Sequence, residues 1–256
     1  MILTIDIGNS NIVLGGVEQD EIRFEARLRT DATKTSDEYC IDLKMILDVY
    51  KVDTQDIEGA IIASVVPQVL NSMQTAVKKL IGKAALVVGP GLKTGLNIKI
   101  ENPAQTGADL VVGCVAALRG YQPPMIVVDM GTATTMVVLD QTGALIGGSI
   151  APGVKISLDA LTERTALLPG LQLDVPKRAI GRNTIDCMRS GIMLGAACQI
   201  DGMVQRMEEE LGMKTTVVVT GGIAKFVIPM CKTPVIYEKD LLIKGLAVLY
   251  RENVRT

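Results

Sequence analysis

The chain of 256 residues sets 26 Lys and Arg against 28 Asp and Glu, a net charge of −2, with 48% hydrophobic residues and no histidine. It is long enough to bury one large α/β domain or two ordinary halves, and it has no basic footprint for nucleic acid and no apolar run long enough to cross a bilayer. A Ser-His-Asp triad and any histidine-built metal site are excluded, so proton handling at neutral pH falls to Asp, Glu, Lys, Tyr or Cys.

The first residues alternate as a strand rather than running as a basic region and greasy core, so the expectation is a cytoplasmic protein with neither nucleic acid nor membrane as partner. Five cysteines fall at 40, 114, 187, 198 and 231 without a C-x-x-C spacing, which predicts reduced, mostly buried thiols. Cys187 and Cys198, eleven apart, return to one face of a helix and are expected in the core.

In chain order, LTIDIGNSN opens on a strand, and apolar runs at 12–17 and 22–28 continue it into a three-strand meander joined by EQDE. Helical spacing follows at 36–50, a buried strand at 59–65, a helix at 67–80 and a strand at 84–88. A helix over 104–119 is predicted to bridge to a second copy of the pattern. There IVVDMGTATTMVV repeats the opening, with Asp129 falling on Asp6 and Gly131 on Gly8, an offset of 129 − 6 = 123. Strands at 135–139 and 144–150 complete the second meander through the turn DQTG. The longest helical stretch spans 183–211, and a strand at 216–220 and a closing helix over 240–251 end the pattern. Residues 165–182, with Pro169, Gly170, Pro176 and Gly181, are too broken for a regular element. The alternation predicts an α/β protein of two duplicated halves, 1–114 and 115–256.

A strand that ends in Asp-x-Gly exposes backbone N–H groups where no side chain obstructs approach, which suits a phosphate, and the carboxylate beside them suits Mg²⁺. One such turn more often just closes a hairpin. Two, at matched places in duplicated halves, point to a nucleotide held in a cleft between them. VVVTGGIAK adds a third glycine turn at Gly221 and Gly222, where a base or ribose can lie against the backbone. Neither the P-loop nor the dinucleotide-binding glycine spacing is present.

The order DIGNSN, NPAQTGAD, DMGTATT, GGSIAPG, GRNTIDCMRSGI, TGGIA resembles the type III pantothenate kinases, of the superfamily that joins acetate and sugar kinases, heat-shock chaperone ATPases and actin. The resemblance implies two ribonuclease-H-like halves of the actin-like ATPase fold. It implies ATP-dependent phosphorylation of pantothenate to 4'-phosphopantothenate, the first step towards coenzyme A. Asp6, Ile7, Gly8, Asn9, Ser10, Asn11, Ile12 and Val13 would then bind the ATP phosphates, with Asp6 near Mg²⁺. Gly131 and Thr132 would touch ATP, Asp129 would serve a monovalent cation, K⁺ or NH₄⁺, and Gly221 and Gly222 would lie on the adenosine side. Asp109 matches the family's base. Gly107, Ala108 and Thr184 match its acceptor contacts, and a homodimer is implied, with 147–169 near the acceptor pocket and the dimer contact.

Two positions depart from that pattern: Leu110 stands where the family has Arg, and Ile100 where it has Tyr. Arg can clamp a carboxylate by paired hydrogen bonds and Leu cannot, so weakened or altered acceptor binding is expected. The departures also leave open a nucleotide-binding regulatory protein without acceptor catalysis, or a kinase for another small alcohol.

Overall fold

A computed structural model describes residues 1–254. By packing the chain divides into two compact units, one of residues 1–96, 101–120 and Asp240 onward, the other of 97–100 and 121–239.

The first unit is built on a five-stranded sheet of order β3-β2-β1-β4-β5. Strands β1 (Ile2–Ile7), β2 (Asn11–Glu18) and β3 (Glu21–Arg29) form the antiparallel meander, and β1 pairs in parallel with β4 (Gly59–Ser64) on its other side. β1 and β4 are buried on both faces, as near-continuous apolar runs should be when helices cover a parallel pair. Helix α1 (Ser36–Val49) starts at a capping box in which Thr35 and Glu38 satisfy each other's backbone amides. Helix α2 (Pro67–Ile81) starts on a proline, whose missing N–H costs nothing there, and ends on Gly82 in the left-handed conformation. Tyr39, Leu43 and Leu47 of α1 and Val69, Met73 and Val77 of α2 join Leu3, Ile5, Ile7 and Ile62 in one core.

The second unit repeats this topology in a sheet of order β10-β9-β6-β7-β8. Its meander is β6 (Met125–Met130), β7 (Ala133–Leu139) and β8 (Leu145–Pro152), and β6 pairs in parallel with β9 (Thr216–Thr220). Helix α5 (Thr184–Arg189), a π-helical turn (Ser190–Leu194) and α6 (Gly195–Leu211) run on as one helical stretch, as the spacing predicts. Met188, Met193, Ala197, Ile200 and Val204 along it pack with Ile126, Val128 and Val219. Helix α4 (Val154–Arg164) follows β8, and the short α7 (Ala224–Val227) and β10 (Ile236–Tyr237) complete the unit.

Several expectations need correction. Cys187 and Cys198 are exposed, and among the described residues only Cys114 is a buried thiol. The core stripe of that helical stretch passes through their neighbours Met188 and Ala197 instead. The bridging helix, α3 (Ala108–Gly120), begins at Ala108 rather than 104: Pro103–Gln105 forms only a 3₁₀ turn, and Thr106 is extended. The strand expected at 84–88 shortens to β5 (Leu86–Val87).

The closing helix α8 (Leu241–Val254), which sequence order places with the second half, packs on α3 (Ala108–Gly120) and β1 of the first unit. Glycines permit the approach: a Cβ on Gly245 would meet the Val112 carbonyl, and one on Gly59 would enter the Tyr250 ring. Gly245→Val is therefore expected to lower stability by about 1–3 kcal/mol through overpacking, read as a fall in the urea midpoint.

Candidate active site

In the first unit Asp6 is next to last in β1 and is the one residue of that strand that is not fully buried. Its ladder neighbours are Val13 on β2 and Ala63 on β4. The turn beyond it is fixed by the backbone, since the Gly8 amide donates to Asn11 O at 3.0 Å and the Thr30 amide to Ser10 O at 3.1 Å. The Thr30 hydroxyl donates to Gly8 O at 2.6 Å. Thr30, just past β3, thus clamps the turn while Asn9, Ser10 and Asn11 lie exposed. A Cβ on Gly8 would come to 3.1 Å from Asn11 O, so a side chain there would shift the turn by a few tenths of an ångström. Ile7 and Ile12, paired across the hairpin, anchor it in the core, and Val13 pairs with Asp6.

Also in the first unit, Asp109 lies in the first turn of α3 and its carboxylate accepts the Leu110 amide at 2.8 Å. Burial pushes its pKa up from the ordinary aspartate value against the opposing pull of the Leu110 and Asp109 amides. A Cβ at Gly107 would collide with that carboxylate, so Gly107 is what lets Asp109 fold over the helix start. Gly107, Ala108 and Leu110 are half-buried around it.

In the second unit Asp129 occupies the corresponding next-to-last place in β6, with the same burial pattern along the strand. Its ladder neighbours are Thr135 on β7 and Thr220 on β9. The Gly131 amide donates to Ala133 O at 3.0 Å and the Gly153 amide to Thr132 O at 3.1 Å. Gly153 has no room for a side chain, because a Cβ would strike the Gly131 and Thr132 carbonyls. At the end of β9, Gly221 takes φ +103 and lies so close to Met130 that a Cβ would meet its backbone. Three of the glycine elements seen in the sequence, at 131, 153 and 221, thus converge on the carboxyl end of β6, with Gly222 exposed beside them.

Thr184 is exposed at the start of α5, whose cap is Asn183 accepting the Asp186 amide at 2.9 Å. Ile100 belongs to the 97–100 segment that pairs with the start of β8, where the Lys99 amide donates to Leu145 O at 2.7 Å. Residues 165–182 are irregular, as expected, but anchored: Leu168, Leu171 and Leu173 pack on the core, and the Ser190 hydroxyl donates to Ala179 O at 2.6 Å. Sequence reasoning missed Thr30 and the packing duty of Gly153. A threonine after a strand carries no distinctive signal, and Gly153 stands in the sequence only as the last residue of GGSIAPG.

Two of these donor sets suit bound cations. Asp6 beside a glycine turn offers a hard oxygen for Mg²⁺, and Asp129 stands next to a hydroxyl, Thr135 Oγ1, that is buried without a hydrogen-bond partner. Such an orphan oxygen fits a bound cation.

The family model for type III pantothenate kinases matches residues 2–206. A type III pantothenate kinase of Halalkalibacterium halodurans is 42% identical over 254 residues, 99% of this chain and 100% of the relative. One from an Exiguobacterium species is likewise 42% identical, over 99% of each chain. Among solved structures, an activator of 2-hydroxyisocaproyl-CoA dehydratase from Clostridium difficile with bound ADPNP superposes with a TM-score of 0.57 over 97% of this chain and 93% of its own. At 13% identity that likeness is one of fold. Gly221→Ala should cost about 1–3 kcal/mol of stability, because alanine must take a backbone conformation that its side chain resists. Gly202→Ala on α6, with open space around it, is the control expected to lose nothing in the same urea titration.

Proposed function

The chain belongs to the type III pantothenate kinase family, and on that premise we propose that it transfers the γ-phosphoryl group of ATP to the primary hydroxyl of pantothenate, with Asp109 as the base. The observation that carries the reading is the match over nearly the whole chain to kinases of this one activity. It favours catalysis over a purely regulatory role.

In the proposed reaction the pantothenate oxygen forms a bond to the γ-phosphorus while the bond to the β-γ bridging oxygen breaks, and its electron pair leaves with ADP. The hydroxyl proton passes to the Asp109 carboxylate. The transition state is loose, so the base chiefly orients the attacking oxygen, and a carboxylate whose pKa burial has raised is the better matched acceptor. Backbone amides of the turn from Asp6 to Val13, held by Thr30, would cradle the phosphates, joined by Gly131 and Thr132, with Gly221 and Gly222 on the adenosine side. Mg²⁺ offsets triphosphate charge when bound, and Asp6 would hold it. Asp129 would hold the monovalent cation. Gly107, Ala108, Asp109, Leu110, Ile100 and Thr184 would face the acceptor.

A homodimer is part of the same reading. Its support is apolar surface in the second unit: on the edge strand β8 Ile150 is 75% exposed, and Ile146, Ile156 and Leu167 are exposed as well. Edge strands in a free monomer are ordinarily shielded or charged. A cytoplasmic location belongs to the same reading.

Labelled ATP with Mg²⁺, K⁺ and pantothenate is expected to yield labelled phosphopantothenate; ADP release without it would replace the kinase by an ATPase. Asp109→Asn should lower kcat by about a hundredfold or more. Because the folded protein holds the Asp109 pKa above its unfolded value, the buried group stabilises the fold at low pH and this contribution is lost as pH rises through the folded pKa. The Asn variant should therefore keep its melting temperature at neutral pH. In the wild type the acidic limb of kcat/KM should lie above the usual aspartate range. Leu110→Arg is expected to lower the KM for pantothenate, by restoring a paired clamp for its carboxylate, and to leave the KM for ATP unchanged.

A further inference from the structure

On one face of the second sheet, oxygen-bearing side chains form a row at the carboxyl end of β6. Directly opposed residues on neighbouring strands point to the same face, and Asp129 is opposed by Thr135 on β7 and by Thr220 on β9. Thr220 is 3% exposed, and its hydroxyl makes one long bond, 3.5 Å, to Lys239 O. The Thr135 hydroxyl is enclosed and has no partner among the described residues.

Among the described residues Thr106 Oγ1 is the other enclosed hydroxyl without a partner. Thr4, equally enclosed on β1, donates to Gly15 O at 3.1 Å. An enclosed hydroxyl left unpaired is costly, and a hydroxyl offers acceptor lone pairs as well as a donor. An oxygen with vacant lone pairs next to a carboxylate is suited to a cation. Neutral oxygens can stand in for the hydration shell of potassium.

We propose that Thr135 supplies a neutral oxygen ligand beside Asp129 to the potassium or ammonium ion, and so helps set the enzyme's affinity for that ion. The inference rests on the reading of Asp129 as the monovalent-cation residue. Valine has nearly the volume of threonine, so Thr135→Val removes the oxygen and keeps the packing. Thr135→Ser keeps the oxygen.

The test is a thermal-unfolding titration of the full chain with KCl against tetramethylammonium chloride at constant ionic strength, with and without a nonhydrolysable ATP analogue. Wild type should show a potassium-dependent rise in melting temperature. Thr135→Val should need about tenfold or more potassium to reach half of that rise, and Thr135→Ser should recover most of the affinity. The Val variant should melt no lower than wild type in tetramethylammonium, where no ion is there to be lost. An unchanged potassium midpoint in the Val variant overturns the role of Thr135 and leaves Asp129 as the cation residue. A wild type whose melting ignores potassium under both conditions overturns the cation reading itself, and this inference with it.

Discussion

Each central strand has an antiparallel neighbour on one side and a parallel neighbour on the other, and the site follows from that constraint. β1 pairs with β2 in a hairpin and with β4 in parallel; β6 does the same with β7 and β9. The hairpin turns back to one side while the chain leaving the parallel strand departs elsewhere, so the carboxyl end of the central strand is left open. A side chain there escapes the full burial that the rest of the strand imposes, and in both units the residue that does so is aspartate. An ionised carboxylate deeper in the strand would carry a prohibitive desolvation cost.

The same constraint explains where rigidity is concentrated. If the turn amides receive phosphates, as proposed, they must be presented before the ligand arrives, or binding energy is lost to ordering them. In the first unit this ordering comes from Thr30 reaching back to Gly8 O. In the second it comes from backbone packed on backbone, Gly153 against the Gly131–Thr132 turn and Gly221 against Met130. A side chain at either glycine would displace the turn itself, so these positions govern shape and stability together.

Much of this was legible in the sequence because it is periodic or repeated. The meanders, the helices at 36–49 and 67–81, the long helical stretch and the match of Asp129 to Asp6 rest on spacing, which the fold preserves. What failed depended on neighbours distant in the chain. Cys187 and Cys198 share a plausible helical interval, yet which face meets the sheet is decided by Met188, Met193 and Ala197. α8 follows the second unit in sequence and packs on the first, where Gly59 and Gly245 let it sit close. The start of α3 shifted because Thr106 is extended, a choice made by its tertiary setting and not by propensity.

The two copies of the Asp-x-Gly turn have diverged in what stands beside the carboxylate. Across the ladder from Asp6 are Val13 and Ala63, which add no oxygen; across from Asp129 are Thr135 and Thr220, which add two. A small divalent ion sheds its waters reluctantly and tolerates a site with one protein oxygen, completing its shell from water and phosphate. A large monovalent ion is weakly hydrated and is selected by several protein oxygens around it. On the proposed reading, the apolar flanks at Asp6 suit hydrated Mg²⁺ and the hydroxyl flanks at Asp129 suit potassium. On this argument the division of labour between duplicated halves lies one strand away from the repeated motif, in residues that the motif does not contain.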